Sequence, residues 1–312
     1  MIKTARVIGV LLATLFYVNY SYSQGCSDAG FCSMGSLQSV DVADSAYRQH
    51  IKMTLGYGAG EDGVSIIQAI PELELSFFTG LVLQIKIPFV SSSGNLGDNN
   101  GIGDMAFSFT QQWTETSTST FSVSAGMKIP TGSTDAGSDN LTSLPMPYQT
   151  GLGTTDLILG ASWRYKTWNV SAGYQKVLNH DNQNTFLKPA NPVDPRILSY
   201  FDSNNLERGD DALLRLEKQY KFRNLVVTPG VLAIFRLTED KITDTTEKQV
   251  ALNGSDGITL NITASATYIL SNRFDLLLMA GAPAVVRDVR ADGLTRSFVV
   301  NVGFRYNFNF SK

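Results

Sequence analysis

Apolar and polar residues alternate along much of the chain, and the pattern is clearest near its end. At 297–310, one face of the predicted strand is wholly apolar: Phe298, Val300, Val302, Phe304, Tyr306, Phe308 and Phe310. The other face is mostly polar: Val299, Asn301, Gly303, Arg305, Asn307 and Asn309. A period of two is typical of a β-strand whose two faces meet different environments. The apolar face is longer and more aromatic than the core of a soluble sandwich requires, which favours lipid as its surroundings.

The same alternation predicts twelve strands: 51–58, 66–78, 80–90, 102–113, 119–130, 154–165, 168–177, 211–220, 225–237, 258–270, 273–285 and 297–310. Connections after the even-numbered strands are short, and those after the odd-numbered strands are long. Outer-membrane barrels have short periplasmic turns and long external loops. We therefore predict an all-β, transmembrane, antiparallel up-and-down barrel over 51–312, in the outer membrane of a Gram-negative bacterium, with both termini in the periplasm.

Charged residues in these strands fall on the polar face. Because an Arg or Lys at the bilayer midplane costs about 2–4 kcal/mol, we expect these residues to face the lumen. The candidates are Glu72, Glu74, Lys86, Asp104, Lys128, Asp156, Arg164, Arg215, Glu217 and Arg305. Twelve strands lie between small filled barrels and wide porins. The mixed signs are consistent either with ion pairs that seal the interior or with a narrow polar path.

Two predicted strands, 225–237 and 273–285, are apolar on both faces. Their pattern places Leu277 and Met279 in the lumen as well. Such an apolar patch would either contact a hydrophobic permeant or pack against a plug or a neighbouring protomer. Pro229 also predicts a bulge or a bend, because proline cannot donate a ladder hydrogen bond.

The N-terminus has the pattern of a secretory signal peptide over 1–23. Lys3 and Arg6 precede an apolar run at 7–18, and small residues follow at Ser21 and Ser23. The run is shorter than the roughly 20 apolar residues of a membrane-spanning helix. The pattern therefore predicts export and cleavage before Gln24.

Residues 24–50 form a candidate plug or periplasmic segment. Leu37, Val40, Ala43 and Tyr47 recur at near-helical spacing and predict a short amphipathic helix. Cys26 and Cys32 are the only cysteines, and in an oxidising compartment they favour a small disulfide loop. Lipidation of Cys26 is the alternative, although the residues before it make a poor lipoprotein cleavage site.

Composition supplies little evidence for other functions. The net charge of −3 does not indicate a nucleic-acid partner. The two histidines, His50 and His180, fall at opposite ends of the predicted barrel, too far apart for one catalytic site. Two cysteines without a histidine pair are a weak metal signal. We therefore expect neither an enzyme nor a cofactor.

Two resemblances follow from specific residues. Asn301, Gly303, Tyr306 and Phe308 resemble the C-terminal signature that presents outer-membrane barrels to their insertion machinery, although Ser311 and Lys312 follow the last aromatic. "GIGDMAFSF" at 101–109, "AGMKIPTGS" at 125–133 and "GLGTTDLILGASWRY" at 151–165 resemble the outer-membrane family described as "Putative MetA-pathway of phenol degradation". That resemblance implies a β-barrel channel related to transporters of hydrophobic compounds.

Two functional hypotheses remain. The first is a channel for passive uptake of small molecules, hydrophobic or aromatic in character. The second is a closed structural barrel whose long loops serve adhesion or partner binding. Both expect outer-membrane lipid, lipopolysaccharide and the insertion machinery as partners.

Overall fold

A computed structural model describes residues 31–39, 49–78, 80–116, 118–137, 142–294 and 296–309. The predicted signal peptide at 1–23, Cys26, and the Val40, Ala43 and Tyr47 positions of the predicted helix lie outside the described residues. In place of a helix through Leu37, the described part of this segment has two 3-10 helices, Phe31–Ser33 and Gly35–Leu37. None of the helices formed by the described residues is long and apolar enough to cross a membrane.

The described residues form seventeen strands. They are β1 (Gln49–Gly60), β2 (Ser65–Phe78), β3 (Leu81–Lys86), β4 (Phe89–Gly94), β5 (Gly97–Ile102), β6 (Met105–Thr116), β7 (Ser119–Ile129), β8 (Thr154–Tyr165), β9 (Trp168–His180), β10 (Asp211–Lys218), β11 (Tyr220–Phe222), β12 (Leu225–Arg236), β13 (Lys241–Thr243), β14 (Gln249–Ala251), β15 (Gly257–Ile269), β16 (Phe274–Val285) and β17 (Arg296–Phe308). Short 3-10 helices also occur at Glu61–Gly63, Met146–Tyr148 and Pro195–Ser199.

Twelve antiparallel wall segments close into a barrel. The order around the wall is β1, β2, β3, β6, β7, β8, β9, β10, β12, β15, β16 and β17, and β17 pairs back onto β1. In this closing pair, Gln49 lies opposite Phe308 and Ala59 lies opposite Phe298. β4 continues β3 beside β2, and β11 continues β10 beside β12. The twelve-strand barrel predicted from alternation is confirmed.

The two faces of the wall differ as the alternation requires. Apolar side chains that project outward from β1 and β17 are exposed: Ile51, Met53, Leu55, Tyr57, Phe298, Val302 and Phe304. Exposed aromatics also lie beside the short turns: Trp113, Trp163, Tyr165, Trp168, Tyr220 and Phe222. An apolar outer band with aromatic residues at its edge suits a lipid bilayer. We call the end of the barrel with the short turns the turn end, and the opposite end the loop end.

Two local details differ from the sequence expectation. The polar stretch "SSSGNLGDNNG", predicted to be a loop, belongs to the β4–β5 hairpin, which extends the sheet at the loop end. Pro229 produces no bulge, because β12 keeps an unbroken register with β15, and Pro229 lies opposite Ala264. The proline instead coincides with the gap between β10 and β11, where the ladder would need the N–H that proline lacks.

Candidate functional site

Residues 31–39, here called the plug, occupy the barrel interior. Cys32, Met34 and Leu37 form one buried apolar cluster with wall residues. Their partners are Ala106, Ile158, Leu213, Leu232 and Ile234, from β6, β8, β10 and β12. The predicted strand 225–237 is therefore apolar on its inner face because that face packs against the plug. Packing of this kind was one of the two alternatives for the strand, the other being contact with a hydrophobic permeant.

Glycines in the wall and the plug allow the close approach. A Cβ on Gly160 would lie 2.7 Å from Leu37 Cγ, and one on Gly126 would lie 2.7 Å from Met34 Cε. Gly35 has a φ of +49°, a left-handed conformation that favours glycine, and its Cβ would meet Ser124 at 2.7 Å. Larger residues at these points would push the plug away from the wall.

Polar contacts also hold the plug. The Gly35 N–H donates to Gln84 Oε1 at 2.8 Å, and the Ser36 and Ser124 hydroxyls are 2.7 Å apart. Lys86 donates to the Ser33 carbonyl, and Arg215 donates to the Leu37 carbonyl and, at 2.9 Å, to the Cys32 carbonyl. The Ser39 hydroxyl donates to Glu217 at 2.6 Å. The plug is thus fixed by main-chain groups and small hydroxyls and contributes no charge within residues 31–39.

Predicted lumen residues on β2 and β3 form a compact ionic group with β1. Glu72 accepts from Lys52 at 2.9 Å and from Lys86 at 3.3 Å. His50 Nε2 lies 3.0 Å from Glu74, a contact that the sequence analysis missed. His50 shares the inward parity of Lys52, and the register pairs it with Glu74 across the sheet.

His50, Glu72 and Glu74 also place three potential metal ligands within 4.8 Å of one another. Glu72, however, already binds the ammonium groups of both Lys52 and Lys86. These lysines balance the two carboxylates without an ion, so the group is complete as an ion-pair cluster.

A second ionic group lies on the motifs that carried the family resemblance. Lys128 Nζ lies 3.0 Å from Asp104 and 3.1 Å from Asp156, and both carboxylates are buried. Asp104 also accepts from the Gly132 N–H at 3.2 Å and from the Leu152 N–H at 2.9 Å. These residues therefore tie β6, β7 and β8 to both ends of the loop 130–153.

The remaining predicted lumen residues are divided between the interior and the turn end. Arg305, 1% exposed, pairs with Asp275 at 2.9 Å, and Glu217 is buried beside Asn169. Arg164 is exposed and donates to the Thr120 hydroxyl at 3.3 Å. The described part of the chain contains no free cysteine. Cys26 lies outside the described residues, so its pairing with Cys32 stays a prediction.

Two cavities flank the plug inside the barrel. The first, about 120 Å³, has Leu277, Met279 and Ile70 on one side and Lys52, Lys86 and Arg215 on the other. The second, about 170 Å³, is lined largely by polar residues, including Gln84, Ser122 and Asn169. Gln38 and Ser39 of the plug border both cavities. Removing the plug would therefore join the two spaces.

The loop end carries a larger ionic network that the sequence analysis did not predict. It consists of three arginines and three aspartates, all of them buried: Arg208, Asp211, Arg236, Asp240, Arg287 and Asp292. Asp292 alone contacts Arg287 at 2.6 Å, Arg236 at 3.0 Å and Arg208 at 3.4 Å. Burial alone would raise the pKa of Asp292, but these three charges outweigh it and hold that pKa well below its usual range.

Apolar clusters pack the long loops against one another around this network. One includes Val64, Val90, Tyr148, Phe186 and Tyr200, and the Tyr148 and Tyr200 hydroxyls are 2.9 Å apart. Another brings Met146, Leu152, Leu206, Ile242 and Ala291 together from four loops. The loops at this end thus have a small core of their own.

Comparisons with known proteins find a matching family and similar solved structures. The model of the family described as "Putative MetA-pathway of phenol degradation" matches residues 64–289. An outer membrane channel from Pseudomonas putida F1 is 18% identical, with a TM-score of 0.60 over 86% of this chain and 100% of that chain. The monoaromatic hydrocarbon channel CymD is 11% identical, with a TM-score of 0.40 over 92% of this chain and 95% of that chain. No curated protein matches in sequence.

Proposed function

Because the chain belongs to the family described as "Putative MetA-pathway of phenol degradation", we propose that it is an outer-membrane channel for passive uptake of small hydrophobic or aromatic molecules. The Pseudomonas putida protein, whose fold it shares, is by its name an outer membrane channel. The observation that carries the proposal is a lumen in which two cavities are separated by a short, uncharged plug. Barrels of about eight strands are filled by their own side chains, whereas this twelve-strand wall encloses a separate segment and two cavities.

In the proposed orientation the turn end, with both termini, faces the periplasm and the loop end faces the outside. The signature at Asn301, Gly303, Tyr306 and Phe308 would direct insertion, and lipid and lipopolysaccharide would surround the apolar outer face. No chemical step is assigned to the chain. The charged groups of the lumen act by pairing and by setting the polarity of the path.

The apolar patch at Leu277 and Met279 supports the choice of permeant. Both side chains face the 120 Å³ cavity, beside the plug residues Cys32 and Ser33. An apolar surface next to a cavity favours a permeant with an apolar body, because its burial releases water from both surfaces. β16 thus has both of the roles considered for 273–285: it lies beside the plug and it offers an apolar surface to a permeant.

The test compares the mature protein with a variant that lacks residues 24–47, which ends just before β1. In planar bilayers and liposome-permeation assays, we expect low conductance for the intact protein and severalfold higher conductance for the deletion. A heat-modifiable gel shift verifies that the deletion variant remains a barrel. Absence of conductance and uptake in both proteins would refute the channel.

The competing hypothesis is a closed barrel that presents its loops to a partner. The buried network and loop clusters at the loop end favour it, since they would hold a binding surface in one shape. It predicts no permeation even without the plug, so the same measurement separates the two functions.

A further inference from the structure

Three cations line the 120 Å³ cavity, and the proposed function does not explain one of them, Arg215. Lys52, Lys86 and Arg215 line it, whereas Glu72 is the one carboxylate among the described residues that line it. Glu72 accepts from both lysines. The guanidinium of Arg215 is left without a carboxylate in this set.

Arg215 is the key residue. It is 4% exposed, and in the described part of the chain it forms no ion pair with a carboxylate. Its hydrogen bonds go to the neutral carbonyls of Leu37 and Cys32, and its Nε has no hydrogen-bond partner. The charge of Glu217, two positions along β10, favours this cation, but Glu217 accepts hydrogen bonds from Ser39 and Asn169. A buried cation is costly unless it is paired, so among the described residues the site favours a further anion that binds the guanidinium directly.

Lys86 repeats the arrangement on the other side of the plug. It binds Glu72 at 3.3 Å and also donates to the carbonyl of Ser33. Two cations on opposite walls therefore hold three main-chain carbonyls of the plug. The bonds from these cations to carbonyls already have a charged donor, and a carboxylate partner would add the Coulomb attraction between opposite charges. A carboxylate that enters the cavity would compete with these carbonyls.

The rest of the wall defines the body of such an anion. Leu277, Met279 and Ile70 present apolar groups to the cavity. A thioether such as that of Met279 packs favourably against the edge of an aromatic ring. An engineered cavity of about 150 Å³ accommodates benzene, so 120 Å³ is slightly small for a ring and fits one once the plug moves.

We propose that the cavity binds small aromatic carboxylates and that their binding releases the plug. This inference rests on the proposed channel function. The carboxylate takes the positions that the Cys32, Ser33 and Leu37 carbonyls hold on Arg215 and Lys86, while the ring packs on Leu277 and Met279. The permeant thus opens its own path. A neutral aromatic molecule fits the apolar wall but leaves both cations on the plug.

Calorimetry on the detergent-purified mature protein tests the binding step with benzoate, and with the neutral benzyl alcohol as the matched probe. We expect benzoate to bind at least tenfold more tightly than benzyl alcohol. Arg215→Gln and Lys86→Gln should each weaken benzoate binding by tenfold or more and leave benzyl alcohol unaffected. Arg223→Gln removes the same charge from the exposed turn between β11 and β12 and should change neither affinity.

Single-channel recording tests the release step. Benzoate should raise the open probability of the intact protein severalfold, benzyl alcohol should not, and Arg215→Gln should abolish the difference. In the variant without residues 24–47, benzoate should no longer change the open probability.

Equal affinity for the two probes, or unchanged benzoate binding in Arg215→Gln, would overturn the anion site. Benzoate binding with no change in open probability would overturn the release of the plug. A deletion variant that conducts, combined with equal affinity of the intact protein for the two probes, refutes this inference but keeps the channel. A deletion variant that does not conduct refutes the channel, while calorimetry still decides the binding site.

Discussion

The loop end and the lumen of the barrel are closed by different means. At the loop end, four loops share buried apolar clusters and a network of three arginines and three aspartates. Inside the lumen, nine residues rest on an apolar stripe of the wall and on a few hydrogen bonds. The first closure is part of the folded wall, because β10 and β12 contribute Asp211 and Arg236 to it. The second comes from a segment that precedes the first strand.

The difference indicates which of the two closures can open. Breaking the loop network would leave several buried charges without partners, which is costly. Removing the plug exposes one apolar stripe and small hydroxyls of the wall, and it frees cations that an incoming ligand can satisfy. We therefore expect the loop end to behave as a rigid frame and the plug to behave as the movable part.

The largest expected effect follows from Asp292→Ala. The substitution leaves Arg208, Arg236 and Arg287 without their shared carboxylate, and breaking a buried pair costs about 3–5 kcal/mol. We expect a clear fall in the temperature at which the heat-modifiable gel shift is lost, and faster proteolysis within 181–210. Asp288→Ala, an exposed position in the same loop, is the control and should change neither. If the two variants are equally stable, the loop end is not a frame.

A smaller effect on the barrel, with a large effect on conduction, is expected for Leu37→Ala. Loss of this buried side chain weakens the docked plug by about 2 kcal/mol or more, a shift of roughly 30-fold in its occupancy. Open events in single-channel recordings should rise accordingly, while the barrel's thermal midpoint stays close to that of the parent protein. Leu55→Ala, on the outer face of β1, removes the same side chain without touching the plug. Unfolding of the Leu37 variant together with its barrel would show that the plug is part of the frame.

The smallest expected effect is that of pH on the stability of the loop end. Because the folded pKa of Asp292 is depressed, its contribution is present above the unfolded value and is lost only as pH falls through the folded value. The unfolded value is about 3.9, so the contribution of Asp292 is complete from about pH 5 upward. Proteolysis of the loop 286–295 should therefore have the same rate at pH 5.5 and pH 7.5. A marked acceleration at pH 5.5 would contradict the depressed pKa.

Much of the wall could be predicted from sequence because lipid imposes the alternation. The outer residues of β1 and β17 must all be apolar, so every second position reports the register. The β4–β5 hairpin was not predicted because this alternation is absent where a strand does not contact lipid. It projects at the loop end, where polar residues such as Ser91 and Asn99 meet no lipid, and its sequence is typical of a loop.

The sequence could predict which residues of the candidate site face the lumen, but not which of them pair with one another. Glu72 and Lys86 were placed inward by alternation, yet their bond depends on the cross-strand register. The network around Asp292 draws its members from three separate segments, 208–211, 236–240 and 287–292, and no local pattern links them. Arg215 could be assigned to the lumen, whereas its contacts with the plug depend on residues nearly 180 positions earlier in the chain.

The pairing of β1 with β17 has a consequence for biogenesis. The first and last of the described strands form one seam, so a polypeptide interrupted before Arg296 has two unpaired edges, on β1 and β16. Hydrocarbon offers no partner for such edges, and each unsatisfied group costs several kcal/mol. Pairing of β17 with β1 removes both edges at once, so closure of the wall is an all-or-none step.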